Sequence, residues 1–205
     1  MMTGFERMSR NLQRKPADRI GLYEHFWGDT HKVWLQQGNI TEDMSLDEYF
    51  GFDLKECWPF NFTADLDFQP KRIREDEDTY TTLDGNGAVL RRHKKHGTTP
   101  EHIDFTVKDS KAYYELIQPK IKPADRRIDY KGYRYAKKEA VKSQRFFFWA
   151  GVNVFELMHP VCGHEHLLAG MALEPEWIAE MAMDYAKATV AMQEMLFAKE
   201  GKPDG

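Results

Sequence analysis

The stretch RFFFWAGVNVF, residues 145–155, is the most apolar run in the chain, and it decides the fold prediction. Such unbroken apolarity is typical of a strand covered on both faces, as in the parallel sheets of α/β proteins. A basic helix is predicted just before it, over residues 130–142, and a long helix after it, from Pro175. This alternation of strand and helix predicts an α/β fold.

The long helix carries the strongest periodic signal in the sequence. Its apolar residues recur at spacings of three and four: Ile178, Met181, Tyr185, Ala188, Met192 and Met195. This stripe is typical of core packing, and we expect it to lie against a sheet. Gly201 and Pro203 are suited to end the helix.

The N-terminal part predicts a helix, then a strand, then two more helices. Thr3 and Glu6 have the spacing of a capping box, which predicts a helix over residues 3–14. The run RIGLYEHFW, residues 19–27, favours a first buried strand because it is short, apolar and aromatic. Asp29 and Ser45 are the predicted N-caps of the two helices that follow.

The middle of the chain differs in character. Residues 52–70 mix aromatic residues with prolines and predict strand and loop. The segment TYTTLDGNGAVLRR, residues 79–92, predicts a β-hairpin, because Asp84–Gly87 tolerate positive φ between two β-tending runs. We expect this hairpin to be an excursion from the main sheet. A helix over residues 109–118 is predicted next.

Composition limits the class of protein. The 205 residues carry a net charge of −4, which argues against a nucleic-acid binder. No apolar run approaches the roughly 20 residues needed to cross a bilayer, and the N-terminus has no apolar signal-peptide core. The two cysteines, Cys57 and Cys162, are expected to be free thiols in a reducing cytoplasm. We therefore expect a cytoplasmic protein with a small-molecule substrate and neither nucleic acid nor membrane as partner.

Three segments carry a resemblance to a known family. Residues 5–20 (FERMSRNLQRKPADRI), residues 84–109 and residues 147–186 resemble the uroporphyrinogen decarboxylase superfamily, and within it an uncharacterised branch related to corrinoid-dependent methyltransferases. The resemblance implies a (β/α)8 TIM barrel. It covers only the N-terminal portion of the family pattern, so residues 1–205 are expected to be the first half of a single barrel domain, with the β-hairpin as an excursion.

The resemblance also implies a function. Methyltransferases of the superfamily hold zinc through a His-x-Cys pair and a later Cys, and they exchange methyl groups with a corrinoid on a partner protein. Those zinc ligands would lie beyond Gly205, so we expect no cofactor within this chain and no activity from it alone. The full-length protein is expected to catalyse corrinoid-linked methyl transfer or demethylation.

Two alternatives remain open. The first is uroporphyrinogen decarboxylation, for which the family uses an arginine-rich segment after the first strand. The matching stretch here, LYEHFWGDTH over residues 22–31, contains no arginine, which disfavours binding of a polycarboxylate. The second is a non-catalytic module whose aromatic pocket binds a small ligand or a corrinoid protein.

Candidate site residues follow the predicted strand ends, because the carboxyl ends of barrel strands face the active site. Glu24 and His25 close the predicted first strand, and Asn153 and Glu156 follow the second. The predicted catalytic residues are Glu24, His25 and Glu156. The predicted substrate-binding residues are Trp149, Asn153, His159 and His164. For Glu24, His25 and Glu156 a surface salt bridge or a buried polar role is an equal alternative, and for Trp149 a core position.

The octet HPVCGHEH, residues 159–166, places three histidines and Cys162 within eight positions. These are preferred zinc ligands, but zinc sites usually draw ligand pairs from separated segments. We interpret the octet as a loop at the rim of the barrel, with no metal ligands. A structural role, contact with substrate and a metal site remain its three alternatives. His93, His96 and His102 are expected to be solvated.

Overall fold

The structure is a computed structural model, and it describes residues 2–152 and 154–205. The chain divides into two compact units. The first unit comprises Met1–Pro59, Asp129–Gly151 and Leu196–Gly205, and the second comprises Phe60–Ile128 and Val152–Met195. The interpretation of residues 1–205 as part of one barrel domain stays a prediction.

Helices and strands of the described residues are numbered in chain order. The helices are α1 (Gly4–Leu12), α2 (Gly28–Gln36), α3 (Leu46–Tyr49), α4 (Ser110–Leu116), α5 (Tyr130–Lys142), α6 (Val154–Leu173) and α7 (Pro175–Glu200). The strands are β1 (Leu54–Cys57), β2 (Lys71–Glu75), β3 (Thr79–Leu83), β4 (Ala88–His93), β5 (Glu101–Phe105) and β6 (Phe146–Trp149). The mixed α/β class is therefore confirmed.

The apolar run that decides the fold forms β6, and β6 pairs in parallel with β1. The register runs from Leu54 opposite Phe146 to Cys57 opposite Trp149. Helix α5, which precedes β6, packs on it through an edge-to-face contact of Tyr133 with Phe147, whose ring centres are 5.0 Å apart. The parallel sheet has two strands, β1 and β6, in the described part of the chain.

The predicted strand over residues 19–27 is wrong, because the structure has no regular element there and Ile20 is 83% exposed. The segment nevertheless runs beside β1 in the same direction. Leu22 is hydrogen-bonded to Asp53 just before β1, and His25 lies 3.8 Å from Glu56 near its end. Glu24 and His25 therefore lie beside a strand instead of closing one.

Local capping signals were predictive at two of three helix starts. Thr3 and Glu6 form the expected capping box at the start of α1, and the Ser45 side chain accepts from the Glu48 N–H at the start of α3. The prediction of Asp29 as N-cap of α2 is wrong. The helix begins at Gly28 with Trp27 as N-cap, so Asp29 lies inside its first turn.

The predicted β-hairpin is confirmed as β3 and β4, which lie within a four-stranded antiparallel sheet in the order β2-β3-β4-β5. Asp84 holds the turn, because its carboxylate accepts hydrogen bonds from the N–H groups of Asn86 and Ala88 at 2.9 and 3.0 Å. This sheet belongs to the second unit and shares no strand with the parallel pair, as expected of an excursion.

The core of the second unit is mainly helical. The α7 stripe is buried as predicted, although Met195 is only partly covered. For Ile178, Met181 and Tyr185 the packing partners are helices, because these residues lie in one cluster with residues of α4 and α6. For the rest of the stripe, packing against a sheet stays a prediction. Among the described helices, none is long and apolar enough to span a membrane.

The octet is helical, so its interpretation as a loop is wrong. It lies within α6, which is interrupted at Gly163, where φ is 72° and ψ is 165°. A residue with a Cβ rarely adopts this conformation, so glycine permits the break. The break changes the direction in which the side chains after Gly163 emerge.

Candidate functional site

The described site residues fall into two groups, one in each unit. Glu24, His25 and Trp149 belong to the first unit. Glu156, His159 and His164 belong to the second. Asn153 lies outside the described residues.

In the first unit, Glu24 and His25 line a cavity of about 200 Å³, which we call the His25 cavity. Its other walls come from β1, α3 and the aromatic residues around them. The residues that define it are Tyr23, Glu24, His25, Phe26, Phe52 and Glu56. The volume is enough for a small polar molecule. The cavity therefore places two of the predicted catalytic residues around one space.

Glu56, near the end of β1, is the central acceptor of the His25 cavity. Its carboxylate accepts from the Trp58 indole N–H at 2.9 Å and from the Tyr23 hydroxyl. Burial, and then this bond to Glu56, raises the pKa of Tyr23 above its ordinary value. The His25 Nδ1 lies 3.8 Å from the Glu56 Oε1, which is too far for a hydrogen bond.

Lys55 lines the His25 cavity, but its ammonium group is already paired with Asp47. Lys55 and Arg145 both contact the Asp47 carboxylate, each at 3.0 Å. Glu24 accepts a hydrogen bond from the backbone N–H of His25 at 2.8 Å. The polar groups left for a ligand are the imidazole of His25 and the carboxylates of Glu24 and Glu56. Such an imidazole–carboxylate set can accept or donate a proton.

Trp149 ends β6, opposite Cys57 of β1. Its ring covers the backbone of Gly151, where an added Cβ would lie 2.7 Å from the ring. Glycine thus allows the indole to approach the backbone closely at the carboxyl end of the parallel pair. The ring is half-buried, so both the core role and the substrate-binding role remain predictions.

In the second unit, His102, His159 and His164 form a group that we call the histidine cluster. The rings of His159 and His164 stack with centres 4.4 Å apart and planes 20° apart. The His102 ring lies 6.1 Å from His159 and 6.0 Å from His164. The break at Gly163 brings together two side chains that are five positions apart on α6, and β5 supplies the third.

Glu156 joins the histidine cluster through His159, whose Nε2 lies 2.8 Å from the Glu156 Oε2. The pKa of His102 is lowered, first by partial burial and then by the neighbouring His159 and His164. His102 is therefore held in its neutral form at physiological pH more firmly than a solvated histidine. The expected exposure of His102 agrees with the structure, which in addition places its ring beside the other two rings.

The cysteines do not fit the zinc site that the family resemblance implies. Both are buried, and the sequence contains no His-x-Cys pair. Burial raises the pKa of Cys57 to about 11 and that of Cys162 to about 12. Zinc needs the thiolate, which these environments oppose. Across residues 2–152 and 154–205, no three His, Cys, Asp or Glu side chains form a ready-made metal site.

Sequence reasoning missed two residues, Glu56 and His102. Glu56 is the penultimate residue of a strand whose bounds were not predicted within residues 52–70. The alternation of apolar and polar residues over 52–55 (FDLK), just before Glu56, is the local signal of that strand. For His102 no local signal exists, because its partners lie more than fifty positions away along the chain.

Comparisons with protein-family models, with curated proteins and with solved structures found no match for this chain.

Proposed function

We propose that the chain is the N-terminal half of a (β/α)8 barrel of the uroporphyrinogen decarboxylase superfamily, and that the full-length protein is a cytoplasmic enzyme of corrinoid-linked methyl transfer. One observation carries the proposal: the parallel pair of β1 and β6, with the 19–27 segment running beside β1 in the same direction. Parallel strands joined through a helix are the repeating unit of such barrels.

The His25 cavity is the proposed substrate site. A corrinoid, carried by a partner protein, would supply or accept the methyl group. Within this chain His25 would hold or release a proton at its imidazole, and Glu56 would orient that ring. Glu24 would accept a hydrogen bond from the substrate. Trp149 would cover the apolar part of the substrate. No residue of this chain is assigned to the family's zinc ion, because neither cysteine fits it.

Decarboxylation of a tetrapyrrole is less well supported. It needs several free cations to pair with the substrate carboxylates. The arginines nearest to the cavity segment, Arg7 and Arg19, are both engaged by the Asp53 carboxylate. Arg145 is paired with Asp47. The first unit therefore offers few free arginines next to the His25 cavity.

The test uses the full-length gene product, methylcobalamin and a panel of thiols, with the visible absorption of the corrinoid as the measurement. We expect at least one thiol to cause loss of methyl–cobalt absorption at a rate proportional to enzyme. His25→Gln should lower that rate by about 100-fold, the typical contribution of a positioned acid or base. His96→Ala, an exposed change in the β4–β5 connection, is the matched control and should not alter it.

Two outcomes would contradict the proposal. An unchanged spectrum with every thiol would exclude methyl transfer to this class of acceptor. Equal rates for wild type and His25→Gln would show that the His25 cavity is not the site of the reaction. Conversion of uroporphyrinogen by the same preparation would favour the decarboxylase alternative, and tight binding of methylcobalamin without turnover would favour the binding module.

A further inference from the structure

The ring separations in the histidine cluster are close to those of a metal site, although the three rings do not form one as they stand. With Zn–N bonds of about 2.0–2.1 Å, two imidazoles on one tetrahedral ion have ring centres about 5 Å apart. The three observed separations are 4.4, 6.0 and 6.1 Å. Each ring would therefore move by about 1 Å and rotate about its side-chain bonds. Such motions are small for side chains that are not fully buried.

The two nitrogens of His159 have different surroundings. Its Nε2 is held by the Glu156 carboxylate at 2.8 Å, so this nitrogen carries the proton. Its Nδ1 is buried and has no hydrogen-bond partner among the described residues. A histidine that ligates a metal commonly donates its other N–H to a carboxylate, which fixes the tautomer and orients the ring. A buried polar atom without a partner is costly, and a ligand would satisfy it.

We propose that His102, His159 and His164 bind one divalent transition-metal ion through imidazole nitrogens, with Glu156 as the positioning residue behind His159. Three neutral imidazoles without a carboxylate or thiolate suit zinc, nickel, copper or iron more than magnesium or calcium. His102 and His164 are exposed, so the fourth position of the ion faces solvent. Three protein ligands with an open position are typical of a catalytic zinc site.

The surroundings of the cluster are compatible with a cation. The Phe155 ring lies 6.1 Å from His159 and 6.2 Å from His164, and it forms an apolar wall. Asp84 acts on His102 as a negative charge, which favours a bound cation. The site does not depend on the proposed methyl transfer, because it uses neither cysteine nor the His25 cavity.

The experiment is calorimetric titration of Zn²⁺ into chelator-treated protein at pH 7.5. We expect one ion per chain with a Kd in the micromolar range or tighter. His102→Ala, His159→Ala and His164→Ala should each weaken binding at least tenfold. Glu156→Gln should weaken it by about 10- to 100-fold, as expected for a carboxylate behind a ligand. Circular dichroism of each variant establishes that it is folded.

Two matched controls use histidines outside the cluster. His166→Ala changes the octet histidine next to the cluster. His96→Ala changes the other close ring pair, since His93 and His96 lie 4.5 Å apart. Neither change should alter the Kd more than twofold. Absence of stoichiometric binding, binding that survives loss of all three cluster histidines, or loss of binding in His96→Ala would each overturn the proposal.

Replacement of Zn²⁺ by Co²⁺ gives a second, independent measurement. Wild-type protein should show the intense visible bands of four-coordinate Co²⁺, and His159→Ala should lose them even if some zinc affinity remains. Binding should also weaken in acid, because protonated imidazole cannot ligate a metal ion. Only weak bands of fully hydrated Co²⁺ in the wild type would contradict the site. These measurements report on metal binding alone, so their failure is distinguishable from absence of methyl transfer.

Discussion

Leu22 and Asp53 are joined by two reciprocal hydrogen bonds in the first unit. The Asp53 N–H donates to the Leu22 carbonyl at 2.8 Å, and the Leu22 N–H donates to the Asp53 carboxylate at 2.7 Å. The Asp53 carboxylate thus supplies the acceptor that a backbone carbonyl would supply in a β-ladder. The same carboxylate accepts from Arg7 and Arg19, so it fastens α1 and the 19–27 segment to the start of β1.

Asp53→Asn should destabilise the protein by about 3 kcal/mol, because it removes one partner of a buried ion pair. Arg7 is only 3% exposed and would keep Asp18 alone as its carboxylate partner. Urea unfolding followed by circular dichroism gives the free energy of unfolding. Asp43→Asn is the control, since Asp43 is exposed and accepts a local hydrogen bond from Thr41. A loss below about 1 kcal/mol for Asp53→Asn would show that the network is not stabilising.

The acid dependence of stability should follow the pKa of Asp53. Burial raises this pKa, but the hydrogen bonds from Arg19 and from the Leu22 N–H outweigh burial and lower it. A carboxyl group with a lowered folded pKa contributes stability that is complete above its ordinary value of about 3.9 and is lost as the pH falls through the folded pKa. We expect the free energy of unfolding to fall less steeply with acid in Asp53→Asn than in wild type. If the free energy of unfolding falls equally steeply with acid in Asp53→Asn and in wild type, this assignment is contradicted.

The parts of the fold that were predictable are those decided by local sequence. The bounds of α5 and the strand β6 follow from a basic periodic segment and an apolar run, and the capping box of α1 lies within four residues. The 19–27 segment was not predictable in the same way. Its apolar pattern favours a strand, but the Asp53 carboxylate, more than thirty positions away from Leu22 along the chain, supplies the competing hydrogen bond.

The candidate site was predictable only in part, for the same reason. The density of histidines in residues 159–166 is enough to predict His159 and His164 as site residues. Their contact depends on positive φ at Gly163, and contact with His102 depends on tertiary packing of α6. A helix without that break would separate the two octet rings. Single-sequence patterns carry no information about such long-range contacts unless both partners belong to one motif.

Gly163→Ala should destabilise the second unit by about 3 kcal/mol, from backbone strain and from overpacking. The φ of Gly163 is 72°, and an added Cβ would lie 2.4 Å from the Phe105 ring. Thermal unfolding by calorimetry is the measurement. Gly28→Ala is the matched control, because it lies in α2 with no atom within 4 Å of the added Cβ. The control should be neutral or more stable by up to about 1 kcal/mol. If Gly163→Ala and Gly28→Ala change the thermal stability equally, Gly163 does not need its positive φ.

Arg127→Lys should also destabilise the second unit, by at least about 2 kcal/mol. Arg127 is buried, and each of its five N–H groups donates to a different backbone carbonyl. The acceptors are the carbonyl oxygens of Asn61, Thr63, Ala64, Lys120 and Lys122, at 2.6 to 3.0 Å. Lysine has three donors at one point, so at least two buried carbonyls would lose their partner, at about 1–3 kcal/mol each.

The neighbouring residue provides the control for that change. Arg126 is exposed and contacts the Asp67 carboxylate at 2.7 Å. Arg126→Lys should alter the free energy of unfolding by no more than about 0.5 kcal/mol, as is usual for a surface ion pair. Both variants keep the charge, so a difference in urea midpoint between them reports on the hydrogen-bond geometry of Arg127. If the two variants unfold at the same urea concentration, the carbonyl contacts do not stabilise the unit.

Cys57 and Cys162 should resist thiol reagents in the folded protein. Burial raises the pKa of the Cys162 thiol from 9.0 to about 12 and that of Cys57 to about 11, so the thiolate fraction at pH 8 falls by about 1000-fold and 100-fold. Because the thiolate is the reactive form, labelling with Ellman's reagent at pH 8 should proceed only through unfolding. The same protein in guanidinium should release two equivalents at once, which is the internal control. The prediction is contradicted if either cysteine is labelled rapidly in the native protein, at a rate that does not depend on added stabilising salt. Such labelling would show an accessible thiolate, and a metal site with a cysteine ligand would again be a valid hypothesis.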